Sequence, residues 1–213
     1  MKAFIFDLDG TLADTVPLIV ATARRVWQEY GLYPDEARIR SFIGVSLFQT
    51  GEAVLGPGRG QEYVEAYQRH YHAQPRCIQP FAGVPEMLRE LRRQGAKLAV
   101  CTSKRERSAT ETLQQTGIAP LLDAVVHSEM TAEHKPDAAP ARCAMQLLAL
   151  PPAECLFIGD SIHDIGCGHH AGMAACAVSY GAATAETLRG AAPEYLVSSV
   201  PALRELLLSL LQK

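Results

Sequence analysis

The strongest constraint on the fold is an alternation of two patterns, short apolar runs and stretches with helical periodicity. The apolar runs are rich in β-branched or aromatic residues, and they lie at residues 3–8, 97–102, 124–128, 155–159 and 174–179. Runs of this length and composition are typical of strands buried on both faces of a sheet. Helical periodicity lies between them, as at residues 84–94 and 139–150. The alternation predicts an α/β fold with a doubly wound parallel sheet covered by helices on both faces.

One long gap interrupts this alternation. Residues 9–96 contain no strand pattern, and a gap of about 88 residues is far too long for one crossover helix. Helical patterns lie inside the gap, at residues 16–30, 35–43 and 61–74. We therefore expect an inserted α-helical cap domain at residues 16–80 and a core domain built from residues 1–15 and 81–213.

Charge and hydropathy exclude several classes of protein. The 213 residues carry 20 basic and 23 acidic side chains, a formal net charge of -3, which gives no basic field for nucleic acid or an anionic membrane. No apolar stretch approaches the roughly 18 residues of a membrane-spanning helix. The apolar run after Lys2 has only four residues before Asp7, unlike the core of an export signal. We expect a cytoplasmic protein with no nucleic-acid or membrane partner.

Two sets of side chains recur at helical spacing, each forming a stripe along one side of a predicted helix, and they predict how those helices pack. One lies near the C-terminus and consists of Leu203, Leu206, Leu207 and Leu210. The other lies in the gap and consists of Tyr63, Tyr67 and Tyr71. Such stripes are typical of core-facing helices, so we expect the leucines to pack on the core and the tyrosines inside the cap. The oligomeric state stays open between a monomer and a homodimer.

Carboxylates follow the first and fourth predicted strands. The first run leads into Asp7-Leu8-Asp9-Gly10-Thr11, and the fourth leads into Gly159-Asp160-Ser161-Ile162-His163-Asp164. The carboxyl ends of parallel strands meet at one edge of the sheet, where doubly wound sheets bind ligands. Carboxylates that converge repel one another unless a cation lies between them, and an all-oxygen site suits Mg²⁺. Gly10 allows the backbone to turn sharply and approach a ligand closely.

Anion-binding groups follow the second and third predicted strands. Thr102 and Ser103 come directly after the second run, and Lys135 lies in a short loop after the third. A hydroxyl, free backbone amides at the start of a helix and one ammonium form an anion site. Together with a divalent metal, these groups indicate a phosphoryl ligand.

Four segments in order resemble the four motifs of the haloacid dehalogenase superfamily of phosphohydrolases. They are Asp7-Leu8-Asp9-Gly10-Thr11, Thr102-Ser103-Lys104, Lys135-Pro136 and Gly159-Asp160-Ser161-Ile162-His163-Asp164. Further segments are similar to the branch that contains phosphoglycolate phosphatases, namely Phe42-Ile43-Gly44-Val45, Pro80-Phe81-Ala82-Gly83-Val84 and Ala171-Gly172-Met173. That branch has a Rossmann-like core and a small helical cap between the first two motifs, where the strand-free gap lies here.

The resemblance implies a role for each matching residue. Asp7 is expected to be the nucleophile that forms an aspartyl-phosphate, and Asp9 the general acid and base. Mg²⁺ is expected to bind the carboxylates of Asp7 and Asp160 and the carbonyl of Asp9. The phosphoryl group is expected to contact Gly10, Thr11, Thr102, Ser103 and Lys135. Asp164 is expected to support the metal site through water or through another ligand.

The choice among relatives rests on three positions. Dehalogenases lack an acid two residues after the nucleophile, where this chain has Asp9. Sugar phosphomutases place a lysine and an arginine around the cap glycine, where this chain has Ile43 and Leu47. The sequence therefore favours a Mg²⁺-dependent phosphatase for a small phosphorylated metabolite, with 2-phosphoglycolate as the best single substrate.

Other functions stay open beside that one. The same fold and chemistry are compatible with a pyrophosphatase, a nucleotide or sugar phosphatase, or a mutase of the β-phosphoglucomutase type. A non-enzymatic module that binds phosphometabolites is least favoured, because a pure binder gains nothing from a carboxylate pair that repels phosphate.

Overall fold

A six-stranded parallel sheet forms the centre of the computed structural model, which describes residues 1–74 and 77–212. The strands are β1 Ala3–Phe6, β2 Lys97–Cys101, β3 Ala124–Val126, β4 Cys155–Gly159, β5 Ala174–Val178 and β6 Tyr195–Val197. Their spatial order is β3-β2-β1-β4-β5-β6, and every neighbouring pair is parallel. Phe6 at the end of β1 pairs with Val100 of β2 and Ile158 of β4. The predicted α/β class with a doubly wound parallel sheet is confirmed.

Helices cover both faces of this sheet and form the insert. They are α1 Val16–Glu29, α2 Glu36–Arg40, α3 Leu47–Leu55, α4 Gly60–Ala73, α5 Val84–Arg93, α6 Glu106–Thr116, α7 Ala139–Leu148, α8 Ile162–His170, α9 Ala185–Gly190 and α10 Val200–Leu211. Short 3-10 turns lie at Ala119–Leu121 and Pro152–Glu154. None of the described helices is long and apolar enough to cross a membrane.

The central strand β1 is buried on both faces because its side chains alternate between two apolar layers. Phe4 and Phe6 pack in the layer that α5 and α10 cover, whereas Ala3 and Ile5 pack in the layer that α7 covers. The C-terminal leucine stripe lies in the first of these layers, with Leu203, Leu207 and Leu210 buried and Leu206 partly buried. The prediction that this stripe packs on its own core is confirmed.

The insert has an apolar cluster of its own, built from α1 to α4. Tyr63, Tyr67 and Tyr71 are buried in it, as predicted, with stacked rings whose centroids are 6.3 Å and 6.0 Å apart. Trp27 Nε1 donates a hydrogen bond to the Tyr63 hydroxyl at 3.0 Å, which ties α1 to α4. The predicted domain boundaries at residues 15/16 and 80/81 stay a prediction.

Helix α3 was not predicted, because Gly51 lowers the helix propensity of its sequence. The structure explains this glycine. A Cβ atom at Gly51 would lie 2.5 Å from Tyr63 Cβ and 2.8 Å from Gly60 Cα, so a larger residue would separate α3 from α4. The start of α3 has a local signal, since Ser46 Oγ accepts a hydrogen bond from Gln49 N–H at 3.3 Å.

The insert joins the core through two paired segments. Asp14 N–H donates to Gln79 O at 3.0 Å, and Phe81 N–H donates to Leu12 O at 3.0 Å. Ala13 and Pro80 form an antiparallel bridge between these bonds. The entry and exit of the insert are therefore held together, directly beyond the carboxyl end of β1.

Candidate functional site

Three carboxylates converge at the carboxyl ends of β1 and β4. Asp7 directly follows β1 and donates its N–H to Ile158 O of β4 at 2.8 Å. Asp160 directly follows β4, and Asp164 lies in the first turn of α8. One oxygen of each residue lies within 4.8 Å of the others, and all three side chains are buried. The sheet topology therefore brings together residues that are more than 150 positions apart in sequence, such as Asp7 and Asp160.

Crowding and burial change the acidity of these carboxyl groups. Burial, together with the charges of Asp164 and Asp9, raises the pKa of Asp7 from 3.8 to about 7, although Lys135 acts to lower it. Burial and the charges of Asp7 and Asp164 hold the pKa of Asp160 well above its usual range. The site binds protons tightly because burial disfavours the charged carboxylates and because one lysine does not neutralise all of their charge.

The residues present fit a magnesium ion. Asp160 Oδ2 accepts a hydrogen bond from Ala182 N–H at 2.6 Å, but the buried Asp160 Oδ1 has no hydrogen-bond partner among the described residues. A Cβ atom at Gly10 or Gly181 would collide with the Asp160 carboxylate, so glycine keeps the space beside it clear. Mg²⁺ prefers carboxylate oxygens as ligands, and Asp160 Oδ1 is such an oxygen without a hydrogen-bond partner among the described residues.

Lys135 links two of the three carboxylates. Its Nζ lies 2.7 Å from Asp7 Oδ1 and 2.7 Å from Asp164 Oδ1, and its side chain is 1% exposed. Burial acts to lower the pKa of Lys135, but the charges of Asp164 and Asp7 outweigh it and raise that pKa well above the usual value. Lys135 is therefore a permanent positive charge inside the site.

Asp164 is fixed by the start of α8. Ser161 N–H and Oγ both donate to Asp164 Oδ2, at 3.1 Å and 2.6 Å, and Asp164 N–H donates to Ser161 Oγ at 3.3 Å. This capping box leaves Oδ1 for Lys135. The structure thus gives Asp164 a direct contact with Lys135 as well as a place among the carboxylates.

The residues predicted to contact the phosphoryl group lie around this cluster, and they differ in whether their polar atoms already have hydrogen-bond partners. Gly10 has a left-handed φ of 73° and donates its N–H to Ala13 O at 2.9 Å. Thr11 Oγ1 is buried without a hydrogen-bond partner among the described residues. Thr102 Oγ1 accepts from Lys104 N–H at 3.2 Å. Ser103 Oγ donates to the carbonyl of Gly44 in the insert at 2.7 Å, so this hydroxyl links core and cap.

Asp9 is not a member of the carboxylate cluster and has partners of its own. Asp9 Oδ1 accepts from Thr15 Oγ1 at 2.5 Å and lies 2.9 Å from Lys104 Nζ. Burial acts to lower the pKa of Lys104, but the charge and hydrogen bond of Asp9, together with Tyr71 and the Asp7 charge, raise it above its usual value. Sequence reasoning gave Lys104 no role. A signal was present, because the chain has only five lysines and this one is the last residue of the second motif.

A cavity of about 840 Å³, partly open to solvent, lies between this site and the insert. Asp7, Asp9, Thr102, Ser103 and Lys104 form its core side. The cap side includes the tyrosine stripe, which was predicted to pack inside the cap and not against a ligand. The tyrosines pack inside the cap and also line the cavity.

Comparison with known proteins places the chain in a family. The family model described as haloacid dehalogenase-like hydrolase matches residues 4–178. A curated relative, the pyrophosphatase PpaX of Halalkalibacterium halodurans, is 32% identical over 97% of this chain and 96% of its own length. Another, a phosphoglycolate phosphatase of Chromobacterium violaceum, is 33% identical over 88% of this chain and 89% of its own.

Solved structures agree on the fold. The crystal structure of a hydrolase from Pseudomonas syringae superposes with a TM-score of 0.88, covering 98% of this chain and 99% of the other. Because the two sequences are only 24% identical, this similarity shows the fold alone. The arrangement of core and insert described above therefore recurs in a solved hydrolase.

Proposed function

Because the chain belongs to the haloacid dehalogenase-like hydrolase family, we propose that it is a Mg²⁺-dependent phosphatase that acts through an aspartyl-phosphate on Asp7. The single observation that carries this proposal is the triad of Asp7, Lys135 and Asp160. A buried carboxylate at the end of β1 lies beside a buried ammonium and a second carboxylate with an unpaired oxygen. This set can supply a nucleophile, a charge for the phosphoryl group and a metal ligand.

In the first step, an Asp7 carboxylate oxygen attacks phosphorus and forms a bond to it as the bond to the leaving oxygen breaks. Asp9 gives its proton to that leaving oxygen, which departs as an alcohol. In the second step, Asp9 takes a proton from water, the water oxygen attacks phosphorus, and the Asp7 carboxylate is released with inorganic phosphate. The two steps together consume one water and restore the enzyme.

Other side chains neutralise and position the phosphoryl group. Lys135 offsets the charge of Asp7 and of the incoming phosphate from 2.7 Å away. Thr11, Thr102 and the Ser103 amide are proposed to donate to phosphoryl oxygens, and Gly10 is proposed to keep the backbone close to them. Asp164 holds Lys135 in place.

Mg²⁺ would be held by the carboxylates of Asp7 and Asp160 and the carbonyl of Asp9. Asp164, in the same carboxylate cluster, would support these ligands. When bound, the ion supplies positive charge that stabilises the transferring phosphoryl group. The unpaired Asp160 Oδ1 and the raised pKa of Asp7 support this proposal.

Substrate identity is proposed at two levels. The class is a small phosphomonoester, and the resemblance to phosphoglycolate phosphatases makes 2-phosphoglycolate the first compound to test. Pyrophosphate is second, because a relative over nearly the whole length is a pyrophosphatase. A mutase is disfavoured because Ile43 and Leu47, which line the cavity, offer no cation for a second phosphate.

The test measures phosphate release from a panel of small phosphoesters with and without Mg²⁺. The native chain is compared with Asp7→Asn and with Asp14→Asn, an exposed aspartate in the same loop that serves as the matched control. We expect Mg²⁺-dependent release by the native chain and by Asp14→Asn, and loss in Asp7→Asn of at least about a thousandfold. Full activity in Asp7→Asn, or no Mg²⁺-dependent release from any ester, would overturn the proposal.

A further inference from the structure

The cavity between cap and core has one charged end and one apolar end. Its core end holds the carboxylates Asp7 and Asp9. Its cap end is lined by aliphatic and aromatic side chains, among them Ile43, Leu47 and Tyr67. Among the described residues, no cap side chain that lines this cavity is charged. A substrate with its phosphate on Asp7 would therefore place its leaving group against an apolar wall.

Each cation that lines the cavity in the described part of the chain already has an acidic partner. Lys104 Nζ lies 2.9 Å from Asp9 Oδ1, and Arg105 Nε donates to Glu129 Oε1 at 2.9 Å. A second anionic group held against the apolar wall would meet no cation on the cap side among the described residues. Burying an unpaired carboxylate against aliphatic side chains is strongly unfavourable.

Two polar side chains of the cap wall, Tyr63 and Thr50, form hydrogen bonds within the cap. The Tyr63 hydroxyl accepts from Trp27 Nε1 at 3.0 Å, and Thr50 Oγ1 donates to Ser46 O at 3.0 Å. Tyr63, Tyr67 and Tyr71 instead offer stacked rings to the cavity. Aromatic rings pack favourably against other flat apolar groups.

From this arrangement we infer that the substrate's leaving group is uncharged and apolar, of the arylalkyl alcohol class. The tyrosine rings and the aliphatic side chains beside them would pack against the flat apolar part of such an alcohol. The inference rests on the proposed phosphatase activity and replaces 2-phosphoglycolate as the preferred substrate. It leaves the chemistry at Asp7 unchanged.

The first test compares esters that share an aliphatic leaving oxygen, so that intrinsic reactivity does not decide the result. The series is methyl, propyl, hexyl and benzyl phosphate, with 2-phosphoglycolate and pyrophosphate as the anionic comparators. We expect kcat/KM to rise about threefold to fourfold for each added methylene until the apolar wall is covered. Benzyl phosphate should exceed 2-phosphoglycolate by more than about tenfold.

The second test places a cation on the apolar wall. Leu47→Arg should raise kcat/KM for 2-phosphoglycolate relative to benzyl phosphate by at least about tenfold, because the carboxylate gains a partner. Ala53→Arg is the matched control, since it adds the same charge to an exposed position of α3 outside the cavity lining. The ratio of the two substrates should not change in this control.

The outcomes separate the inference from the function it rests on. Mg²⁺-dependent hydrolysis in which 2-phosphoglycolate or pyrophosphate exceeds benzyl phosphate overturns the inference and leaves the phosphatase intact. If no ester is hydrolysed, the proposed function fails, and calorimetry on Asp7→Asn decides the inference. Tighter binding of benzyl phosphate than of methyl phosphate or 2-phosphoglycolate then supports the apolar site, and equal or weaker binding overturns it.

Discussion

Lys104 Nζ lies 2.9 Å from Asp9 Oδ1, the oxygen that also accepts a hydrogen bond from Thr15 Oγ1. The same ammonium lies 5.2 Å from the centroid of the Tyr71 ring on α4. The proposed acid and base is therefore held in one orientation by a lysine after β2, and that lysine contacts the cap. Its orientation depends on both parts of the molecule.

Removing this lysine should slow the chemistry that depends on Asp9. We expect Lys104→Met to lower kcat/KM, which reports the steps up to the aspartyl-phosphate, about tenfold to a hundredfold for alkyl phosphates, because a loosely held acid reaches the leaving oxygen less often. The effect should be smaller for 4-nitrophenyl phosphate, whose leaving group needs little protonation. Steady-state kinetics on both substrates measure the difference.

Arg107→Met is the control for this prediction, since Arg107 is exposed on the neighbouring helix and pairs with Glu111. It should leave both substrates unaffected. Equal losses for the two substrates in Lys104→Met would show that Lys104 does not act through Asp9.

Lys135 should be essential to the stability of the folded core. Lys135→Met leaves Asp7 and Asp164 buried without their cation, and we expect the free energy of unfolding to fall by about 3–5 kcal/mol. Lys97→Met is the matched control, because the exposed pair of Lys97 with Asp123 contributes no more than about 1 kcal/mol. Urea unfolding measures both variants. A loss in Lys135→Met no larger than in Lys97→Met contradicts this account.

The carboxylate cluster should make the effect of Mg²⁺ on stability depend on pH. The folded pKa of Asp7 is about 7 against an ordinary 3.8, so between these values the metal-free folded state binds a proton that the unfolded chain has lost. Its free energy of unfolding therefore falls as pH rises through this window. Because Mg²⁺ competes with that proton, we expect it to raise Tm more at pH 8 than at pH 5.

Differential scanning fluorimetry with and without Mg²⁺ measures this difference, and comparing the two curves at each pH removes titrations elsewhere in the chain. Asp7→Asn should reduce the dependence, since its amide does not titrate. A Tm shift that is equal at both pH values in the native chain would show that Mg²⁺ does not displace a proton from this site.

The positions of β1, β2, β4 and β5 were predictable because these strands are buried along nearly their whole length. Such burial demands an unbroken apolar run, and β4 occupies the run predicted for it. Strand β6 was missed, because its three residues at the sheet edge are only partly buried and impose a weaker pattern. Helix α3 was missed for a different reason: the contact of Gly51 with Tyr63 and Gly60 is not local in sequence.

The same distinction applies to the site. Asp7, Asp160 and Lys135 follow strand ends, so a parallel sheet brings them to one edge, and the structure joins them. Lys104 follows a strand end as well, but its pairing with Asp9 depends on β1 and β2 being neighbours. The order of the strands in the sheet results from the packing of the whole core, so it could not be predicted from any single segment of the sequence. The apolar cavity wall likewise appears only when four cap helices are folded against the core.

Gly44 is a point of close contact between the cap and the core, and it offers a test of that contact. Its carbonyl accepts from Ser103 Oγ at 2.7 Å, and a Cβ atom there would lie 2.6 Å from Ser161 Oγ. Gly44→Ala should therefore push the cap away from both core loops. We expect kcat/KM to fall at least about tenfold, since small displacements at a catalytic site are costly.

Gly31→Ala is the matched control, because Gly31 also has a left-handed φ, 72° against 95° for Gly44, but a Cβ atom there would meet nothing within 4 Å. Both variants should lose about 1–2 kcal/mol of unfolding free energy from the left-handed backbone. Only Gly44→Ala should lose activity when both are assayed well below their melting temperatures. Equal kcat/KM in the two variants would mean that the contact of Gly44 with Ser103 and Ser161 does not position the cap for catalysis.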